Sequence, residues 1–131
     1  MSVEDGIFSL LTGDAAISAL VGTRVYPTEL PEGVAWPAIL YMRPDTTREA
    51  TMDTAGLPVA MVGIHCFDES PADVITLAEA VKDALVGYHG TAGGTKVVGC
   101  VLKDEKNGWD FEKSSTGLYW RELTFAFFYR E

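Results

Sequence analysis

The stretch Leu118-Tyr119-Trp120-Arg121-Glu122-Leu123-Thr124-Phe125-Ala126-Phe127-Phe128-Tyr129-Arg130 constrains this chain more than any other. Tyr119, Leu123, Phe125, Phe127 and Tyr129 alternate with Trp120, Glu122, Thr124, Ala126, Phe128 and Arg130. A period of two puts the first set on one face of a β-strand, and that face is apolar enough to require burial. The other face mixes charge with aromatic rings. Such a strand has to pair inside a sheet, because its backbone groups and rings are costly to leave in water. The expectation is a compact module that offers an edge or a face to a neighbour.

At 131 residues the chain fits a single domain, residues 1–131. That length buries a core without disulfides or a metal. A hydrophobic share of 47% argues against disorder. No apolar run approaches the roughly 18–20 residues of a membrane span. Met1-Ser2-Val3-Glu4-Asp5-Gly6 lacks the basic start of a signal peptide, so synthesis in the cytoplasm is expected. Cys66 and Cys100 each sit in an apolar, strand-like run and read as buried thiols of a reducing compartment. A disulfide between them requires their strands to be neighbours. Ten basic against 19 acidic residues give a net charge of −9, which disfavours nonspecific binding to nucleic acid or anionic membranes.

Val3, Ile7, Leu10 and Leu11 recur at helical spacing. Asp14 is placed to cap a second short helix, Ala15 to Val21, with Gly22 at its end. Arg24 to Pro27 reads as a short extended piece, and residues 27–37 as a proline-punctuated connector. Residues 37–43 and 57–67 read as strands. The polar segment Pro44 to Gly56 between them reads as a long hairpin with a mobile tip. Apolar residues on both faces of 57–67 place that strand in the middle of a sheet. Ser70-Pro71-Ala72-Asp73 opens the main helix, whose stripe is Val74, Leu77, Ala78, Val81, Ala84 and Leu85. His89 to Gly94 reads as a loop and Val97 to Lys103 as a strand. Asp104 to Thr116, with its turn dipeptide Asn107-Gly108, reads as a polar connection. The expected fold is α+β, a two-layer sandwich. A largely antiparallel sheet of about four strands is covered on one face by the long helix and the short N-terminal helices. The other, partly apolar face requires a cover such as a partner subunit.

Chemistry-bearing patterns are sparse. His65 and Cys66 are adjacent on a strand, so they point to opposite faces and cannot share a metal. The glycine-rich run Gly87 to Lys96 follows a helix, whereas a phosphate loop precedes one. Ser114-Ser115-Thr116 has no nearby base. Trp36, Trp109 and Trp120 lack the basic groove that nucleic-acid stacking needs. No catalytic, cofactor or metal site is expected, and the chain reads as a structural or interaction protein, not an enzyme.

Several blocks in order carry a resemblance. They are Ile7-Phe8-Ser9-Leu10-Leu11, Asp14 to Val21, Leu20-Val21-Gly22-Thr23-Arg24-Val25-Tyr26-Pro27, Leu30-Pro31, Trp36-Pro37-Ala38-Ile39-Leu40-Tyr41, and Ala84-Leu85-Val86-Gly87. With the closing aromatic strand, the chain resembles the tail-completion, or tail-terminator, proteins of long-tailed bacteriophages and prophages. The resemblance implies a structural virion protein of the tail or neck, made in the host cytoplasm. It implies a ring of copies, typically hexameric, at the head-proximal end of the tail tube. That ring stops tube growth and docks the head connector, while DNA passes through its lumen. The partners it implies are further copies, the tail-tube protein and the head–tail connector protein. On this basis Trp120, Phe128 and Arg130 are candidates for one side of a ring interface. Thr46, Thr47, Arg48, Glu49 and Met52 are candidates for contact with the tube. The acidic excess would line a lumen from which DNA is repelled. The alternatives are a head-closure protein of the neck, or a small ligand-binding or enzymatic domain built around His65, Tyr41 and Trp109.

Overall fold

The computed structural model describes residues 3–49, 57–110 and 117–130. Among these the elements are α1 (Val3–Gly13), α2 (Ala15–Val21), β1 (Val25–Pro27), β2 (Ala38–Glu49), β3 (Leu57–Asp68), α3 (Pro71–Leu85), β4 (Gly90–Ala92), β5 (Thr95–Asp110) and β6 (Leu118–Arg130). The helix starts follow local chemistry. The Ile17 amide donates to Asp14 Oδ1 at 3.0 Å at the start of α2, and the Asp73 amide donates to Ser70 Oγ at 3.4 Å at the start of α3. Pro71 fills the first position of α3, where no amide hydrogen is needed.

The block from Leu20 to Pro27 works as a stop, a clamp and a strand start. Gly22 ends α2 at φ 60°, a conformation costly for residues with a Cβ. Arg24 then donates from Nε to the Pro37 carbonyl at 2.7 Å and from Nη2 to the Leu20 carbonyl at 3.4 Å. One guanidinium thereby ties the last turn of α2 to the start of β2. It also sets β1 parallel to β2, with Val25 opposite Ile39.

The sheet order is β1-β2-β3-β6-β5-β4. This corrects the expectation of about four antiparallel strands: there are six, and β1 runs parallel to β2. β3 lies between β2 and β6, as its two apolar faces require. All three helices pack on one sheet face. Ile7, Leu11, Ile17, Val21, Leu77, Val81 and Leu85 meet Val62, Ile64, Leu123, Phe125 and Phe127 there, each at most 1% exposed. The expected buried face of the last strand is therefore the core face.

The largest correction concerns residues 104–110. They are not a connection but the second half of β5, paired with β6 from Asp104 opposite Thr124 to Asp110 opposite Leu118. Their polarity is satisfied from above. Glu105 Oε1 lies 3.0 Å from Lys82 Nζ of α3, and Arg121 Nε donates to Asn107 Oδ1 at 2.6 Å. Asn107-Gly108 makes no turn, because Gly108 lies beneath the Trp120 indole, where any Cβ would collide with the ring. The glycine-rich run has an equally structural reason. Gly93, in the β4–β5 turn at φ 55°, would put a Cβ 2.7 Å from the Asp5 carbonyl oxygen of α1.

The hairpin of β2 and β3 stands as expected for its described part. After a register shift between Met42 and Asp45, residues 45–49 pair with β3, with Thr46 opposite Ala60 and Glu49 opposite Leu57. Of the expected hairpin segment Pro44 to Gly56, residues 50–56 lie outside the described residues. Cys66 on β3 and Cys100 on β5 are separated by β6 and are free, buried thiols. Burial pushes both up to about 12.

Candidate functional site

The face of the sheet turned away from the helices is the candidate site. Period-two alternation puts Phe67, His65, Gly63, Met61 and Val59 of β3 there, because Cys66, Ile64, Val62 and Ala60 face the core. Strand register builds rows across it. Ala38, Phe67, Trp120 and Gly108 form one row, and Leu40, His65, Glu122 and Lys106 the next. Met42, Gly63, Thr124 and Asp104 follow, then Met61, Ala126 and Val101, then Val59, Phe128 and Gly99. Leu40, Met42, Met61, Phe67, Trp120 and Phe128 are half-buried. Val101 is 43% exposed, although it is a strand residue with apolar row neighbours.

One end of this face is aromatic. Trp36 and Phe67 have ring centroids 6.0 Å apart, His65 stacks on Phe67 at 6.0 Å, and His65 lies 6.3 Å from Trp120. The connector after β1 passes over this end. It leaves a cavity of about 380 Å³ lined by Thr28, Glu29, Leu30, Leu40, Phe67, Leu118 and Trp120. A neighbouring groove of about 280 Å³ runs past Leu30, Glu32 and Trp36.

His65 is the titratable group at the centre of the face. Its Nε2 lies 3.3 Å from Glu122 Oε2, and its buried Nδ1 has no hydrogen-bond partner among the described residues. Burial pushes its pKa below 6.5, and the Glu122 carboxylate opposes that shift. The unfolded chain therefore takes up this proton first, so stability is lost as pH falls through 6.5 toward the lower folded value. Above 6.5 both states are neutral and the contribution is flat. In urea titrations at several pH values between 7.5 and 5.5, His65→Gln should remove this part of the slope. An unchanged slope would contradict the assignment.

The sequence-predicted residues do not form one cluster. Trp120 and Phe128 both lie on the open face, but eight residues of strand separate them by about 26 Å. Arg130 is exposed at the end of β6, opposite Lys96. Thr46, Thr47, Arg48 and Glu49 lie on β2 opposite Ala60, Val59, Pro58 and Leu57, so Thr47 shares a row with Phe128. Met52 lies outside the described residues. The ligand pocket expected around His65, Tyr41 and Trp109 is not assembled. Tyr41 faces the helices, 6.4 Å from Phe8, His65 faces the other way, and Trp109 stacks on Tyr119 at the far end of β5. Leu30, Leu40 and Phe67 were missed as site residues, although the two apolar faces of 57–67 pointed toward Phe67.

Among the described residues no group of His, Cys, Asp or Glu is placed to hold a metal. No helix among them is long and apolar enough to cross a membrane. What the fold presents is an α+β module with helices on one sheet face and the other face open. Residues 5–130 match the family described as Tail completion protein gp17, and the chain belongs to that family. It is a structural protein of the bacteriophage-type virion tail. Among solved structures, a chain of the "Virion of native gene transfer agent (GTA) particle" is similar in fold. It is 23% identical with a TM-score of 0.78, covering 96% of this chain and 92% of that one. No curated protein sequence matches.

Proposed function

We propose that this protein caps the head-proximal end of the tail tube, ends tube polymerisation and presents the docking surface for the head. The observation that carries this reading is the open sheet face. Half-buried Leu40, Met42, Met61, Phe67, Trp120 and Phe128 and exposed Val101 share this face with His65, Glu122, Lys106, Thr124 and Asp104. Large apolar side chains gathered on one open face and mixed with polar ones mark an interaction surface. In a tail completion protein, a face of this kind fits burial against further copies in a hexameric ring. The tail-tube protein and the head–tail connector would sit on either side of the ring, and DNA would pass through its lumen. The net charge of −9 suits that passage, because an acidic wall does not retain a polyanion. Adding the protein to growing tail-tube protein tests the reading by electron microscopy. Shortened tubes bearing extra density at one end are expected. Tubes of unchanged length with bare ends would refute it.

A further inference from the structure

We propose that copies of this chain join head to tail, the basic corner Lys96/Arg130 of one copy seating on the acid-lipped pocket beside Glu29 of the next. The inference rests on the ring reading and names its joint. The pocket of about 380 Å³ has an apolar and aromatic floor of Leu40, Phe67, Leu118 and Trp120. Its charged lining group is Glu29, and Glu32 lines the adjoining groove. Both acids are exposed and neither has an ion-pair partner among the described residues. Among the described residues, no cation lines either cavity. The complementary occupant has an alkyl stem for the rings and a cationic head for the carboxylates, which describes arginine or lysine.

Among the described side chains, only Lys96 and Arg130 set two such groups side by side. Arg24 is held by the Pro37 carbonyl, Lys82 by Glu79 and Glu105, and Arg121 by Asn107 and Glu105. Lys106 lies 3.9 Å from Asp104, and Lys103 stands alone at a bulge of β5. Lys96 and Arg130 are directly opposite each other across β5 and β6, exposed and without an ion-pair partner among the described residues. Two like charges in opposed positions repel each other in the free chain, and a surface carrying two acids relieves that repulsion. Phe128, on the open face beside this corner, adds an apolar contact.

A chain cannot fill its own pocket this way. Trp120 at the pocket and Arg130 at the corner are ten strand residues apart, about 33 Å. The contact therefore joins two copies through different patches. Repeated in one direction from copy to copy, such a joint builds rings or filaments.

Paired charge reversals test the joint. One variant carries Lys96→Glu with Arg130→Glu, and the other Glu29→Lys with Glu32→Lys. All four side chains are exposed, so unfolding midpoints should stay near wild type. Assembly is measured by native mass spectrometry and by tube-end density in the presence of the tail-tube protein. Each variant alone should associate at least tenfold more weakly. An equimolar mixture, or the chain carrying all four reversals, should recover assembly beyond two copies. If the wild type forms rings and the reversed variants form them equally well, this joint is wrong and the ring reading survives. A restored species that stops at two copies also overturns the head-to-tail arrangement. If the wild type forms no ring either alone or on tubes, the ring reading fails and the joint fails with it.

Discussion

Truncating Phe125 to alanine is expected to lower the unfolding free energy by about 3–5 kcal/mol. Phe125 is fully buried on β6, between Val62 of β3 and Leu102 of β5, with the Phe127 ring 6.3 Å away. It lies on the face covered by the helices, in one cluster with Leu77, Val81 and Leu85 of α3. The ring is held from above and from both sides, so the surroundings cannot collapse into the space it vacates. A domain of this size is stable by about 5–15 kcal/mol, so the loss is a third or more of the total. Urea unfolding should show a lower midpoint with an unchanged slope. A loss under about 1 kcal/mol would mean that this face is not the core.

A glutamate at Val101 should act on assembly and spare the fold. Val101 is 43% exposed on the open face, in the row of Ala126 and Met61. In the free chain a carboxylate there stays hydrated, and the change in stability should remain within about 0.5 kcal/mol. Under a neighbouring subunit the same carboxylate is buried without a partner, at a cost of several kcal/mol. Val101→Glu is therefore expected to weaken assembly on tubes about 100-fold or more while the urea midpoint holds. Equal capping by the variant and the wild type would show that this face stays in water. A fallen midpoint would instead place Val101 in the core.

Much of the fold was legible because local chemistry and tertiary packing agree. Asp14, Ser70 and Pro71 mark helix starts by satisfying or avoiding the free amides there. The alternation of Leu123, Phe125, Phe127 and Tyr129 identifies the core face of β6 without a partner strand in view. The second half of β5 was not legible, because Glu105 and Asn107 face ions of α3 and β6 where a pattern search looks for apolar residues. Asn107-Gly108 carries a turn signal that the Trp120 indole overrides. β4 has three residues and is defined by its pairing with Thr95 to Val97 alone. The site was partly legible. The sequence marks Trp120, Phe128 and Arg130 as the other face of β6. It does not bring Glu29 and Leu30 over Phe67, because that contact depends on where the connector crosses the sheet.

The most direct test of the account is an electron cryomicroscopy reconstruction of tail tubes grown with this protein. The account predicts a ring of copies on one tube end, with the rows containing Phe67, Trp120 and Val101 buried between subunits. Tube ends without added density, or copies whose open sheet face remains in solvent, would contradict it.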